Sequence, residues 1–286
     1  MKEIKQKTKI GKWSPSNISF SIFNYVLLTF LTLLCLYPML HVLFASVSDP
    51  TKLIAHQGVL LKPLGFTLSG YRLVFQDNSI LIGFKNTFLY VGIGTFLNMA
   101  LTIMGAYTLS RRDLMLKNAI MIVITITMFF GGGLIPWFLL MKQIGLYNNL
   151  LAMVLPTALN TWNMIILRTG FQSLPYELEE AAVIDGASQV KILTKVILPL
   201  SKPVLVTVAI FAFMASWNNY LWPFLCAMDE NIFTLPVGIP TFIGQYSIDY
   251  VVPLTASMVA SIPAIVAYLL LERYIVEGIA MTGVKG

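Results

Sequence analysis

The sequence has little charge and almost no cysteine. Only 11% of its 286 residues are charged, whereas about a quarter are charged in a typical soluble domain. Disorder does not account for this shortage, because 57% of the residues are hydrophobic and disordered chains have few apolar residues. The two cysteines, Cys35 and Cys226, lie in apolar runs and form neither a disulfide framework nor a metal site. The composition excludes a soluble enzyme, a nucleic-acid-binding protein and a secreted disulfide scaffold, and predicts a helical membrane protein.

Nucleotide-binding and catalytic motifs are also missing. The sequence contains no G-x-x-x-x-G-K-[ST] stretch, so we expect no ATP site and no bound cofactor or metal in this chain. It contains no H-E-x-x-H, no G-x-S-x-G and no pair of intramembrane aspartates, which argues against an intramembrane protease or lipid-modifying transferase. The glycine run Gly131–Gly133 is expected to break a helix before Pro136.

Six apolar runs approach the length of about 20 residues that a transmembrane helix needs. Five lysines precede the first run, as in a signal peptide. That run is too long for a signal-peptide core and no small-residue cleavage site follows it, so we expect an uncleaved span. The predicted spans are Ile22–Ser46, Leu81–Leu109, Leu114–Gly132, Asn149–Thr169, Pro203–Leu225 and Val252–Arg273.

Basic residues are distributed unequally between the two predicted sides of the membrane. With the N-terminus inside, 14 of the 19 Lys and Arg residues lie on the inner side. Because such residues concentrate in the cytoplasm, both termini are expected there. Arg111 and Arg112 flank a span end and are interpreted as topology anchors. His41 lies in an apolar run without an intramembrane carboxylate partner, so we expect a packed, hydrogen-bonded histidine rather than a proton relay.

The loop between spans four and five has the pattern of two short helices. Ser173 is a candidate N-cap of the first helix. Three acids suit the positive end of that helix, and Gly186 is expected to end it with a positive φ. The acids are Glu177, Glu179 and Glu180.

The second helix of this loop is expected to begin at Ser188 and to end at Pro199. It carries an apolar stripe at helical spacing. The stripe consists of Ile192, Leu193, Val196 and Ile197. Periodicity alone also fits an amphipathic linker that lies on the membrane.

The residue pattern of this loop resembles the cytoplasmic EAA loop of ABC-importer permeases. The consensus is E-A-A, three residues, G, nine residues, then I-x-L-P. Here Gly186 follows Ala182 at the required distance, and Val196 takes the position of the consensus isoleucine. The matching segments are Glu180-Ala181-Ala182, Asp185-Gly186-Ala187 and Ile197-Leu198-Pro199.

Other segments resemble the carbohydrate branch of these permeases, of which the smaller permease of the maltose transporter is a familiar member. They are Gly132–Pro136, Asn218–Pro223 and the C-terminal Glu277-Gly278 with Gly283–Gly286. The stretch Phe130–Trp137 is similar to a subgroup that imports complex or uronic-acid-containing oligosaccharides. A permease of the same superfamily for an amino acid or a peptide is the alternative, against which the C-terminal and Asn218–Pro223 patterns argue.

The resemblance implies an all-α type I importer permease with six transmembrane helices in a bacterial cytoplasmic membrane. It implies residues 1–19 as a cytoplasmic tail, 20–275 as the permease domain with its EAA loop at 172–202, and 276–286 as a second cytoplasmic tail. The implied partners are membrane lipid, a second homologous permease in a heterodimer, two subunits that bind ATP and Mg²⁺, and an extracellular sugar-binding lipoprotein. No nucleic-acid partner is expected.

The resemblance also assigns roles to residues of the loop and the tail. A coupling helix in the loop docks into a groove on the ATPase, and the tail reaches the ATPase interface. The coupling residues are Glu180, Ala181, Ala182, Asp185, Gly186 and Ala187. The tail residues are Gly283, Val284, Lys285 and Gly286.

Two polar clusters within apolar spans are candidates for the substrate path, because amides and aromatic rings bind sugars. Interhelical hydrogen bonding is the alternative role for the same side chains. The candidates are Asn160, Trp162, Asn163, Trp217, Asn218, Asn219 and Tyr220. The outer segment 226–251 holds three acids and no Lys or Arg, and is either a contact for the binding protein or an ordinary solvated loop.

Overall fold

The computed structural model describes residues 15–245 and 250–283, with side-chain positions for residues 18–240 and 250–273. Within these ranges the chain is helical, and no strand occurs. In chain order the helices are α1 (Pro15–Ser46), α2 (Pro50–Ala55), α3 (Ser69–Gln76), α4 (Asn78–Ser110), α5 (Lys117–Phe129), α6 (Leu134–Gln143), α7 (Leu150–Val154), α8 (Thr161–Gln172), α9 (Glu177–Ile184), α10 (Gln189–Ile192), α11 (Leu198–Leu200), α12 (Lys202–Trp217), α13 (Leu221–Cys226), α14 (Leu235–Gln245) and α15 (Val251–Gly283).

Three helices are individually long and apolar enough to cross a bilayer, and they correspond to the first, second and sixth predicted spans. They comprise Ile18–Ser46 of α1, all of α4, and Val251–Arg273 of α15, with mean hydropathies of 2.1, 1.6 and 2.0. Residues 18–36 of α1 are exposed along their whole length. An apolar helix that is exposed all round is typical of a membrane span.

The other candidate spans are pairs of helices that bend sharply at a short break. α5 and α6 meet at 105°, the helix 150–157 meets α8 at 44°, and the helix 189–200 meets α12 at 87°. Counting each pair as one span brings the number of candidate spans up to six. The fourth predicted span is therefore not a continuous helix, which corrects the sequence-based expectation. The third, Leu114–Gly132, ends at the bend between α5 and α6, and the fifth, Pro203–Leu225, begins just after the bend that precedes α12.

The glycine run explains the bend at the end of the third predicted span. α5 has 13 residues, or about 20 Å at 1.5 Å per residue, less than the hydrocarbon core of about 30 Å. It ends at Phe129, and Gly133 has φ +85°, a conformation that glycine adopts without strain. The predicted break is confirmed, and α6 starts at Leu134 so that Pro136 lies in its first turn.

Proline and asparagine explain the break in the fourth predicted span, and an asparagine marks the early end of the fifth. Pro156 lies in a 3₁₀ turn after α7 and cannot donate a backbone hydrogen bond. The side chain of Asn160 then caps α8 by accepting from the amide of Asn163 at 3.0 Å. The fifth span ends earlier than predicted, because α12 closes at Trp217 with Asn218 as its C-cap.

The helices enclose two hydrophobic cores, and α4 contributes to both. The first, here called the Tyr90 core, joins α3, α4, α7, α12, α14 and α15. Its buried residues are Val74, Ile80, Tyr90, Val91, Met153, Val154, Trp217, Ala227, Leu235, Val252, Ala256 and Val259. The second, here called the Leu167 core, joins α4, α8, the helix 189–200 and α12. Its buried residues are Ala106, Tyr107, Leu109, Met164, Leu167, Phe171, Ile192, Ile197 and Val208.

Candidate functional site

The EAA-like loop (residues 172–202) turns at Gly186, as predicted. The φ of Gly186 is +72°. Its amide donates to the carbonyl of Val183 at 3.0 Å, and the amide of Ala187 donates to the carbonyl of Ala182 at 3.0 Å. These two bonds form a Schellman motif. A Cβ at Gly186 would meet nothing within 4 Å, so the need for glycine comes from the backbone conformation and not from packing.

The start of the loop differs from the prediction. Ser173 does not cap α9; it closes α8, and its hydroxyl donates to the carbonyl of Gly170 at 2.7 Å. The N-cap of α9 is Tyr176, which makes no side-chain capping bond. Pro175 accounts for the difference, because the residue before a proline avoids the helical region, so α9 begins only after Pro175.

The second helix of the loop begins as predicted. The Ser188 hydroxyl accepts from the amide of Lys191 at 3.4 Å. α10 then continues through a π-helical turn, residues 193–197, into α11. Pro199 lies in α11, where it cannot donate to the preceding turn. The chain bends by 87° directly after α11, so the end predicted at Pro199 is confirmed to within one residue.

The apolar stripe of this second helix packs inside the protein. Ile192 is completely buried, and Ile197 is 6% exposed. Both belong to the Leu167 core, against which Leu193 also packs. The stripe therefore attaches the loop to α4 and α8, and the interpretation of this helix as a linker with its apolar face on the membrane is wrong.

A polar network attaches the first helix of the loop to the end of α4. Arg111, the C-cap of α4, forms an ion pair with Glu179 of α9. The Tyr107 hydroxyl donates to Oε1 of Gln189 at 2.8 Å and accepts from Nη1 of Arg111 at 3.2 Å. The guanidinium of Arg112 stacks over the ring of Tyr176 at 4.3 Å. Both arginines were expected from the sequence only to be topology anchors, and the structure adds these contacts with the loop.

The outer face of the loop is exposed and partly apolar. Ile184 is 83% exposed and Val183 is 50% exposed. Of the predicted coupling residues, Ala182 and Ala187 pack against the Leu167 core. The others are exposed, namely Glu180, Ala181, Asp185 and Gly186. The loop thus combines an anchored base with a surface that a partner could cover.

The predicted C-terminal contact lies mostly beyond the described residues. Gly283 is the last residue of α15, and Val284, Lys285 and Gly286 lie outside the described ranges.

A layer of polar side chains lies between the two cores, at the bend before α8. Asn98, 4% exposed on α4, donates from Nδ2 to the carbonyl of Thr157 at 2.9 Å. The hydroxyl of Thr102 lies 3.4 Å from Oδ1 of Asn98. The layer surrounds a cavity of about 170 Å³. The cavity is lined by Asn98, Pro156, Thr157, Leu159, Asn160, Asn163, Ala212, Ala215 and Ser216.

The structure brings together only some of the predicted substrate-path residues. Asn160 and Asn163 line this cavity, whereas Trp162 is 58% exposed. Trp217 is 4% exposed, lies in the Tyr90 core and donates from Nε1 to the carbonyl of Ala260 at 3.2 Å.

The remaining residues of the second cluster lie beyond the end of α12. Asn218 is the exposed C-cap of α12. Asn219 donates from Nδ2 to the hydroxyl of Tyr90 at 3.0 Å, a bond between helices. Tyr220 stacks on Phe224 with ring centroids 5.4 Å apart. Tyr220 also lines a larger, mainly apolar groove with Phe138.

Sequence reasoning missed two contributors to these sites. Asn98 could have been found from the sequence, because an amide in the middle of an apolar span is unusual and indicates a polar contact. The ion pair of Arg111 with Glu179 joins residues 68 positions apart, and no local pattern signals it. His41 lies 3.3 Å from the Tyr37 hydroxyl, as expected for a packed, hydrogen-bonded histidine.

Two side chains in the segments outside the long spans accept hydrogen bonds from backbone amides. Asn148 accepts from the amides of Met228 and Asp229 at 2.8 Å and 3.0 Å. At Asp49, hydrogen bonds from the Thr51 hydroxyl and the Lys52 amide lower the pKa of the carboxyl below its ordinary value. Among the described residues no group of three or more His, Cys, Asp or Glu side chains is arranged to hold a metal ion.

Comparison with known families decides the class of this chain. The model for the binding-protein-dependent transport system inner membrane component matches residues 98–280. This chain belongs to that family. The family resemblance read from the EAA-like loop is confirmed.

Individual relatives cover nearly the whole length of the permease. The polygalacturonan/rhamnogalacturonan transport system permease protein YtcP of Bacillus subtilis is 32% identical, over 94% of this chain and 99% of the relative. The trehalose/maltose transport system permease protein MalG of Thermococcus litoralis is also 32% identical, over 90% and 94%. A crystal structure of a bacterial ABC transporter involved in the import of the acidic polysaccharide alginate superposes with a TM-score of 0.84. It is 29% identical and covers 93% of this chain and 99% of that one. These relatives confirm the resemblance to the carbohydrate branch.

Proposed function

We propose that this chain is the permease subunit of an ATP-driven importer that takes up an oligosaccharide delivered by an extracellular binding protein. The family and the sugar-transporting relatives support the transport class. The observation that carries the proposal is the EAA-like loop, whose base is buried against α4 and α8 while Ile184 and Val183 are exposed. Such a loop can receive force from another subunit and pass it to the spans.

In the proposed topology, six spans cross a bacterial cytoplasmic membrane and both termini are cytoplasmic. The excess of basic residues on one side supports this orientation, as does their clustering in the structure. Arg168 donates to the carbonyl of Leu109 at 2.9 Å, and Lys117 donates to that of Arg111 at 2.7 Å. These cations stabilise the negative end of the α4 dipole at what is proposed to be the inner surface.

Single cysteines in a chain without Cys35 and Cys226 test this topology. A cysteine at Ile184 should react with a membrane-impermeant maleimide only in inverted vesicles, and one at exposed Asn231 only in intact cells. The reverse pattern would overturn the proposed orientation.

Energy is proposed to come from two separate subunits that bind ATP and Mg²⁺. In this proposal, closure of the ATPases moves the docked loop and alternates the access of the substrate path, because ATP binding favours one of two states. The docking surface is proposed to be formed by Glu180, Ala181, Asp185 and Gly186, which are exposed, while Ala182 and Ala187 hold it against the Leu167 core. The tail Gly283–Gly286 is proposed as a second contact. A second homologous permease completes the membrane pore as a heterodimer.

The substrate path is proposed to run through the polar layer. Amides and hydroxyls suit sugar hydroxyls, and the cavity beside Asn160 and Asn163 supplies both groups at the bend of a span. The aromatic residues Trp162 and Tyr220 are exposed and supply flat faces for sugar rings in a path shared with the second permease. Asn218 and Asn219 follow at the end of α12. Trp217 supports this region from the Tyr90 core.

Affinity purification of the tagged chain in mild detergent tests the proposed function. We expect mass spectrometry to find a second permease, a P-loop ATPase and a sugar-binding lipoprotein. Uptake by the assembled transporter should then be stronger for uronic-acid oligosaccharides than for neutral ones of equal length. Recovery of the chain without an ATPase in several detergents would overturn the proposal, and uptake of an amino acid or peptide instead of sugars would overturn its substrate class.

A further inference from the structure

The first helix of the EAA-like loop has few means of attachment to the spans. α9 places Ala182 against the Leu167 core, and Ala187 packs there just after the turn. Alanine side chains fill space but cannot fix the rotation of a short helix. Two specific contacts remain. The Tyr176 ring, at the N-cap of α9, lies under the guanidinium of Arg112. Glu179, in the first turn of α9, pairs with Arg111 at the end of α4 and is the charged contact made by the helix itself.

This pair is enclosed rather than solvated. The side chains of Arg111 and Glu179 are only 14% and 13% exposed. Screening by salt and competition by water are weak at such a site. The Tyr107 hydroxyl, itself bonded to Gln189 of α10, accepts a hydrogen bond from Arg111. One arginine and one tyrosine of α4 therefore hold both helices of the loop in a single geometry.

α4 is suited to carry a displacement away from this contact. It runs without a proline from Asn78 to Ser110. Arg111 lies 13 positions after Asn98 of the polar layer, about 20 Å along a helix that rises 1.5 Å per residue. Because α9 is attached to the end of α4 at Arg111, a displacement of α9 would move α4. α4 then extends without a break to Asn98, which lines the cavity.

We propose that Arg111 and Tyr107 are positioning residues, which clamp Glu179 and Gln189 so that movement of the docked loop is transmitted through α4 to the substrate path. The inference rests on the proposed docking of this loop to an ATPase. It adds a role for a contact within the permease, distinct from the docking surface itself. When the clamp is broken, ATP hydrolysis and sugar movement should separate.

The test uses the complete transporter in proteoliposomes with its binding protein, an acidic oligosaccharide and ATP. The readout is the number of sugar molecules taken up per ATP hydrolysed. We expect Glu179→Gln and Arg111→Lys to lower this ratio by about tenfold, within the usual range of coupling between sites. The ATPase should still co-purify in normal amount, because the exposed docking surface is unchanged.

Asp113→Asn is the matched control. Asp113 also pairs with Arg111, at 3.5 Å, but it is 79% exposed and lies outside the loop. Its loss removes a carboxylate from the same arginine without releasing α9, so the ratio should remain at the wild-type value. The double variant Arg111→Glu with Glu179→Arg should recover much of the ratio lost in each single reversal, which a general loss of stability would not produce.

The outcomes separate this inference from the proposed function. If both Glu179→Gln and Arg111→Lys keep the wild-type ratio of sugar uptake to ATP hydrolysis, the proposed clamp is wrong. The proposal is also wrong if Asp113→Asn lowers this ratio as much as they do. If charge reversal prevents assembly, the two conservative variants still decide the question. Failure of the unmodified chain to bind any ATPase overturns the proposed function instead.

Discussion

The Tyr90 core and the Leu167 core share α4, but different kinds of contact join the other segments of each core to this helix. At the Tyr90 core, Asn86 donates to the carbonyls of Asn231 and Phe233 at 2.7 Å and 3.0 Å, and Thr87 accepts from the amide of Leu235 at 2.8 Å. These neutral bonds join segments about 145 residues apart. At the Leu167 core, the segment that packs against α4 is the EAA-like loop, which lies between α8 and α12 in the sequence. Its Glu179 forms an ion pair with Arg111 at the end of α4.

The difference suits two mechanical roles. The Tyr90 core joins distant segments into one packed body through neutral hydrogen bonds, such as those of Asn86 and Thr87 to backbone groups. The Leu167 core instead carries a protruding loop whose exposed tip contains Ile184. The polar layer at Asn98 separates the two, so that one end of α4 is fixed in a packed body while the other is attached to the segment proposed to move.

The largest expected effect is on the Tyr90 core. Trp217→Ala removes a ring that is 4% exposed and packs between Phe88 and Phe213. Truncation of a buried aromatic residue costs about 3–5 kcal/mol. We expect a large loss of folded protein and a lower melting temperature in detergent. Trp162→Ala, at a 58% exposed position, should leave the melting temperature near that of the wild type. Equal melting of the two variants would contradict the proposed importance of this core.

The next largest effect on stability is expected at the close contact between Gly170 of α8 and Val204 of α12, beside the Leu167 core. A Cβ at Gly170 would lie 2.8–3.3 Å from three side-chain atoms of Val204. Because valine is stiff, Gly170→Ala should push α8 from α12 at a cost of about 1–3 kcal/mol. A Cβ at Gly92 would meet nothing within 4 Å, so Gly92→Ala should be neutral or stabilising. Thermal unfolding of both variants measures the difference, and an unchanged Gly170→Ala would show that this contact relaxes freely.

The sequence predicted the local features better than the assembly. Gly186 and Ser188 were found because caps and turns depend on a few neighbouring residues. The fourth span was wrong as a continuous helix because Pro156 interrupts a stretch whose hydropathy continues across the break. The Tyr90 core could not be predicted from the sequence, because it depends on contacts between residues far apart in the chain. The bond from Asn86 to the carbonyl of Phe233, for example, joins residues 147 positions apart. For the candidate site, Asn160 and Asn163 were found as polar residues in a span, but Asn98, which lines the same cavity, was not.

At the turn of the EAA-like loop, we expect a substitution to lower the free energy of unfolding only slightly but to reduce uptake strongly. Gly186→Val forces a β-branched residue to adopt φ +72°, which costs about 1–2 kcal/mol. The turn should change, and docking of the ATPase should weaken. Gly186→Asn is the control, because asparagine tolerates this conformation. We expect the chain to insert and pair in both variants, with uptake reduced only in the valine variant. Wild-type uptake and sugar-stimulated ATPase activity with valine would refute the coupling role of this loop.

The smallest stability effect is expected in the polar layer, where it distinguishes interhelical bonding from substrate contact. Asn98→Leu removes the bond to the carbonyl of Thr157 and should cost about 0.6–1.7 kcal/mol, as for hydrogen bonds between membrane helices. Asn163→Leu changes a side chain that lines the cavity. We expect Asn98→Leu to lower the melting temperature more, and Asn163→Leu to weaken sugar-stimulated ATP hydrolysis more. If both variants lose stability and activity in the same proportion, the layer serves to join the helices, and the substrate path must be sought along the exposed aromatic residues Trp162 and Tyr220.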